Sequence, residues 1–188
     1  MLQPIEGGHA SLRPRSQRRA VRSEQRLISS ARDGSTEALE ELYRGNWPAA
    51  YRTAYLIVHD AAAAEDIAQE AFLGAIRALD SFDRRRPFRP WLHRIVVNRA
   101  IDWARARSLR REVSDEPLAV LESAESPHLD DDLLSALREL PVEQRAVVVL
   151  RYLLEYTPGE IAEVLDLPRG TVNSRMRRAL DSLGSEFA

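Results

Sequence analysis

The sequence predicts an all-α protein built from two small helical domains joined by an acidic linker. Three observations carry that expectation. Apolar residues recur at three- and four-residue spacing over most of the chain. No stretch of useful length alternates as a strand would. The helical pattern lapses once internally, where acids and two prolines replace it. Apolar residues make up 44% of 188, enough for a buried core.

In chain order, residues 1–22 are rich in Gly, Pro, Ser and Arg without a periodic stripe, and read as a disordered basic arm. Residues 23–107 form the first helical domain. Within it, Ala64, Ile67, Ala68, Ala71, Ala75 and Leu79 fall on one helix face, and Asp66, Gln69, Glu70, Leu73 and Arg77 on the other. The small residues allow close packing. The second face suits a protein partner, although a solvated face with one exposed leucine fits the periodicity as well. From Phe82 a loop mixes Phe82 and Phe88 with arginines. A helix then runs from about Pro90, buried through Leu92, Ile95, Val96 and Trp103. Aromatics among arginines suit single-stranded nucleic acid, where rings stack on bases and cations follow phosphates. A core helix with a basic exterior fits equally well. His93 reads as a surface histidine on that helix.

Residues 108–131 read as the linker. Helical periodicity returns over 132–188. Leu133, Leu134, Leu137 and Leu140 mark one helix, and Pro141 opens the next, with Val147, Val148, Leu150 and Leu153 as its apolar residues. Thr157-Pro158-Gly159-Glu160 has the form of a capping box. Ile161, Ala162 and Leu165 follow as an apolar face, and Asp166-Leu167-Pro168 breaks the helix. The next helix carries a stripe of Val172, Met176, Ala179, Leu180 and Leu183. Thr171, Ser174, Arg177 and Arg178 lie opposite it, flanked by Asn173 and Arg175. Two short helices with a tight joint and an outward Arg/Ser/Thr face make a helix-turn-helix suited to a major groove.

Charge is strongly partitioned. The formal net charge is only -2, yet residues 84–111 carry ten arginines against Asp102, and residues 112–132 carry eight acids and no base. All 27 cationic residues are arginine, whose planar fork matches phosphates and guanine edges. The chain has no cysteine, which excludes disulfides and thiolate metal sites and suits a reducing compartment. No two of the four histidines stand at i, i+3 or i, i+4, and the Asp66/Glu70 pair has no histidine beside it. No nucleophile–base pair and no phosphate loop is visible. An enzyme, a metal protein and a cofactor are therefore not expected. With no signal peptide or membrane span legible, a soluble cytoplasmic protein is.

Three motifs in order, Asp66-x-x-Gln69-Glu70-x-Phe72, the basic aromatic loop before Trp91, and Gly170-Thr171-Val172-x-Ser174-Arg175, resemble the extracytoplasmic-function (ECF) sigma factors of bacterial RNA polymerase. The resemblance covers about residues 24–107 and 132–184. It implies a sigma region 2 helical bundle and a sigma region 4 helix-turn-helix. The implied function is to direct core polymerase to specific promoters and melt them, without catalysis and under an anti-sigma factor. Asp66, Gln69, Glu70 and Leu73 would meet the polymerase clamp helices. Arg84, Arg85, Arg86, Phe88, Arg89, Trp91 and Asn98 would serve the minus-ten element. Arg169, Thr171, Asn173, Ser174, Arg175, Arg177 and Arg178 would read the minus-thirty-five element. The loop departs from the family, which often has small polar residues ending in Thr before the Trp. A plain transcription factor that binds duplex alone is the competing reading. It would call for an α/β receiver domain, and no strands are visible.

Overall fold

The computed structural model describes residues 15–113 and 131–186. Among them every regular element is helical: α1 (Arg15–Arg32), α2 (Thr36–Val58), α3 (Ala61–Arg77), α4 (Phe88–Val113), α5 (Asp131–Glu139), α6 (Val142–Val148), α7 (Pro158–Leu165) and α8 (Arg169–Glu186). A 3₁₀ turn spans Leu79–Ser81, and a π-helical turn at Val149–Leu153 prolongs α6. The chain divides into two compact units between Leu42 and Tyr43, within α2.

In the first unit, α1 starts inside the segment expected to be a disordered arm; residues 1–14 lie outside the described residues. Arg, Gln, Glu and Leu are good helix formers, so this segment is helical without an apolar stripe along its whole length. Ile28 and Ala31 are buried near its C-terminal end. Gly34 then turns the chain with a φ of +91°. Ser35 caps α2 by accepting from the Ala38 amide at 3.1 Å.

The second unit takes in the rest of α2 and α3 to α8. Helix α2 ends where His59 adopts a left-handed conformation and its amide donates to the Tyr55 carbonyl at 2.7 Å. Asp60 caps α3, accepting from the Ala63 amide at 3.0 Å, and also receives Arg107 of α4 at 2.6 Å. The small-residue face of α3 is buried as expected, at Ala64, Ile67, Ala68, Ala71 and Ala75. Helix α4 packs on α3 through Leu92, Val96, Val97 and Ala100, all fully buried. It also runs on to Val113, so the expected linker is helical at its start; residues 114–130 lie outside the described residues. The arginines and leucine after Arg107 extend a helix readily.

Helices α5 to α8 build around Leu134, Leu137, Leu140, Val147, Leu150, Ile161, Val164, Val172 and Ala179. Leu133 and Leu180, expected on the apolar stripes, are instead 37% and 42% exposed. Helices α6 and α7 pack against α4. The parts on either side of the expected linker thus fall within one compact unit.

Candidate nucleic-acid and partner interfaces

The outward face of α3 presents Asp66, Gln69, Glu70 and Leu73, all exposed, with Leu73 at 52%. Gln69 donates to Glu65 at 3.2 Å, and Glu70 receives Arg99 of α4 at 2.7 Å. Ile76, one turn after Leu73, is 42% exposed and extends the apolar strip of this face. Sequence reasoning missed it. Its position between the two face clusters was the available signal. Three acidic or polar side chains, Asp66, Gln69 and Glu70, thus lie beside two exposed aliphatics, Leu73 and Ile76.

The loop between α3 and α4 is set by Asp83. Its carboxylate accepts from the Arg85 amide at 3.0 Å and from the Arg85 Nε at 3.1 Å, and its carbonyl accepts from the Arg86 amide at 2.9 Å. An Asx turn of this kind closes the loop tightly. The Arg85 guanidinium beside it holds the Asp83 carboxyl below the usual carboxylate range. Beneath the turn, Phe82, Phe88 and Trp91 pack together. The Phe82–Trp91 ring centroids lie 4.6 Å apart and the Phe88–Trp91 centroids 5.5 Å apart. Phe88 is 3% exposed, so its ring is a member of this cluster, not a free stacking surface. Arg84, Arg85, Arg86 and Arg89 are exposed around the loop, Trp91 is half-buried, and Asn98 is exposed two turns further on. Arg86 is engaged at 3.0 Å by Glu163 of α7.

His93 is not a surface residue. It is fully buried, with its Nδ1 and the Tyr156 hydroxyl 2.7 Å apart in a hydrogen bond. Burial, helped by Arg89, lowers its pKa to about 4, and burial raises that of Tyr156, so both are neutral at neutral pH. Helical periodicity did not reveal this, because the covering residue arrives from 63 positions away.

The helix-turn-helix forms as its local sequence dictates. Thr157 caps α7, accepting from the Glu160 amide at 3.3 Å, while Glu160 accepts from the Thr157 amide at 2.8 Å. Asp166 closes α7 in a left-handed conformation (φ 54°), and Leu167 returns its amide to the Ala162 carbonyl at 3.0 Å. Pro168 then starts α8 by accepting from Thr171 and Val172. Val172 and Ala179 are fully buried against α6 and α7. On the other face Arg169, Asn173, Ser174, Arg177 and Arg178 are exposed, while Thr171 and Arg175 are half-buried. Arg178 donates to the Ser174 carbonyl at 3.2 Å, which holds part of this face in place before any ligand arrives. The structure thus brings the α8 residues onto one face, and it places the loop residues and the α3 face elsewhere on the same unit. Among the described residues no cluster of His, Asp or Glu could hold a metal ion, and no helix is long and apolar enough to cross a membrane.

Residues 42–110 match the family model for Sigma-70 region 2, and residues 130–183 match that for Sigma-70, region 4. The chain is 33% identical over 162 residues to the ECF RNA polymerase sigma factor SigM of Mycobacterium tuberculosis, covering 86% of this chain and 83% of that protein. It is 29% identical over 176 residues to the ECF RNA polymerase sigma factor SigW of Bacillus subtilis, covering 85% and 94%. Among solved structures it is similar to CnrH in complex with the cytosolic domain of CnrY, with a TM-score of 0.67 and 28% identity over 87% of this chain and 96% of that one.

Proposed function

Because the chain belongs to the ECF sigma factors of bacterial RNA polymerase, we propose how its three surfaces divide the work of promoter recognition. The α3 face of Asp66, Gln69, Glu70, Leu73 and Ile76 docks on the polymerase clamp helices. The exposed face of α8, from Arg169 to Arg178, reads the minus-thirty-five element as duplex, with Arg177 and Arg178 on phosphates or guanine edges. The loop arginines and the exposed Asn98 hold the opened minus-ten strand. Arg84 to Arg89 neutralise phosphate, and the half-buried Trp91 offers the one ring edge of the cluster at the surface. The chain supplies positioning and electrostatics to the polymerase and catalyses nothing itself, and it works in the cytoplasm. The structure of CnrH holds the cytosolic domain of CnrY and that of RpoE from Bartonella quintana holds the anti-sigma factor NepR, and an anti-sigma partner is proposed here as the chain's regulator.

The observation that carries this reading is the coexistence, on one chain, of an acidic and aliphatic face on α3 and an open arginine face on α8. A plain transcription factor needs only the second. The test is equilibrium binding of the full chain to purified core polymerase without DNA, beside an Asp66→Lys, Leu73→Asp variant. Both positions are exposed, and neither holds an ion pair that α4 depends on, as Glu70 does. Tight binding that the variant loses supports the reading. Firm duplex binding with no affinity for core overturns it.

A further inference from the structure

We propose that Arg99 is a positioning residue of the docking face: seated over a glycine notch in α3, it fixes the Glu70 carboxylate so that the free oxygen is presented to a cationic group on the polymerase clamp. This rests on the docking role given to that face above. Arg99 comes from α4, and its Nη1 donates to Oε2 of Glu70 at 2.7 Å. The Glu70 side chain makes no other polar contact among the described residues, so Oε1 stays available to a partner. Both side chains reach the surface, Arg99 at 40% exposure and Glu70 at 65%. A charge-assisted bond from a guanidinium is short and directional, so holding one carboxylate oxygen selects the rotamer that carries the other.

Gly74 supplies the observation that carries the proposal. It lies inside α3, one turn after Glu70 and on the same side of the helix. Its backbone is ordinary helix: φ is not positive, and its carbonyl accepts from the Ala78 amide at 3.0 Å. The backbone therefore does not require glycine here, and glycine is the poorest helix former after proline. Apart from its chain neighbours and the backbone of its own helix, the one heavy atom of the described residues within 4 Å of where a Cβ would stand is Nη2 of Arg99, at 3.4 Å. A methyl group at that place would touch the guanidinium, and a longer side chain would take its room. The missing side chain is thus the space through which Arg99 crosses from α4 to Glu70.

Stability does not account for this arrangement. A partly exposed ion pair adds modestly to a fold, and the glycine takes some of that away. The packing of α4 on α3 is made by Leu92, Val96, Val97 and Ala100, not by this pair. A local rule broken without a matching return in stability is the mark of a functional surface. Charge balance does not account for it either. A guanidinium beside Glu70 weakens the negative field of the face, so on field alone it would oppose a cationic partner. What it returns is preorganisation. A mobile glutamate loses rotamer freedom when a partner fixes it, and that loss weakens binding. Here α4 has fixed the carboxylate beforehand. The partner chemistry that fits is an arginine or lysine beside an apolar surface, with the cation on Oε1 of Glu70 and the apolar part on Leu73 and Ile76.

The experiment is equilibrium binding of the full chain to purified core polymerase without DNA, with a thermal melt of each variant beside it. Arg99→Gln should weaken binding by about three- to tenfold, the factor for one side chain left to be immobilised on docking, and change the melting temperature little. In a Glu70→Ala chain the same Arg99→Gln change should have almost no further effect, because Arg99 acts through that carboxylate. At position 74 bulk should count. Gly74→Gln should weaken binding as much as Arg99→Gln does, and Gly74→Ala, whose methyl only touches the guanidinium, less. Both replace glycine by a better helix former and should hold or raise the melting temperature, so loss of fold could not produce the weaker binding. Binding that Arg99→Gln leaves unchanged or tightens overturns the proposal. So does equal weakening with and without Glu70, which would put Arg99 itself on the polymerase. Failure of the docking reading looks different: the wild-type chain would then not bind core at all, and the proposal falls with it.

Discussion

Acid should destabilise the second unit, because His93 and the ring nitrogens of His59 are buried without charge. Burial holds the pKa of His93 to about 4, with Arg89 adding to the effect, and that of His59 to about 3, with Arg145 and Arg138 adding, against an ordinary 6.5. Both folded-state values are depressed. Between those values and 6.5 the unfolded chain binds more protons, so stability is full above pH 6.5 and is lost as pH falls toward 4. Going from pH 7 to pH 5, linkage gives a loss of about 2 kcal/mol for each histidine, about 4 kcal/mol together. That is a large share of the roughly 5–15 kcal/mol typical of a domain. The assay is the urea midpoint by helical circular dichroism at the two pH values, in wild type and in His93→Gln. Glutamine does not titrate, and its amide can still meet the Tyr156 hydroxyl. The variant should lose about half as much stability as wild type on acidification, about 2 kcal/mol. Equal acid losses in the two proteins would refute the reasoning, since they would mean that His93 protonates as freely folded as unfolded.

Arg145→Ala removes a half-buried guanidinium that serves three carbonyls, and should lower the urea-unfolding free energy by about 2–4 kcal/mol, water replacing some of the lost bonds. Asp60→Ala should cost about 1 kcal/mol for the cap of α3 beyond what is lost with the Arg107 pair, whereas Asp60→Asn keeps the cap and shows the pair alone; thermal melts of the two separate these effects. Arg177→Ala should leave the melting temperature unchanged and reduce the slope of duplex affinity against salt by about one counterion, read from titrations at several salt concentrations.

What the sequence made legible follows from the range of the forces involved. The capping box at Thr157, the break at Asp166 and the stripe through Val172 and Ala179 are local, set by residues three or four apart, and they stand as read. The same is true of the α3 face, where small residues alternate with exposed Asp66, Gln69, Glu70 and Leu73. Misreadings arose where a residue's environment is supplied from far along the chain. His93 is covered by Tyr156, and Arg145 answers the end of α2, 88 residues earlier. No periodicity encodes such meetings. Helix ends in arginine-rich segments were also missed: α1 begins at Arg15 and α4 runs on to Val113, where good helix formers leave no apolar period legible in the sequence.

Phe88 shows how a composition signal can point to the wrong layer. Rings among arginines suggested base stacking, yet Phe88 lies beneath the loop, its ring 5.8 Å from that of Phe82. What the aromatic triad does is hold the Asp83 turn, and with it the loop arginines, in place. Phe88→Ala should therefore act through the fold, lowering stability by about 3–5 kcal/mol, as loss of a buried aromatic does. Phe88→Leu keeps most of the volume and should leave promoter opening near the wild-type level once temperature is kept below its melting point. Asn98→Ala, at an exposed position, should do the reverse, sparing the melting temperature and reducing strand opening. Opening is followed with a fluorescent base analogue in the non-template strand, using the polymerase holoenzyme. A Phe88→Leu protein that melts like wild type but no longer opens DNA would place the ring in contact with a base, and would require the loop to unfold from its triad when DNA binds.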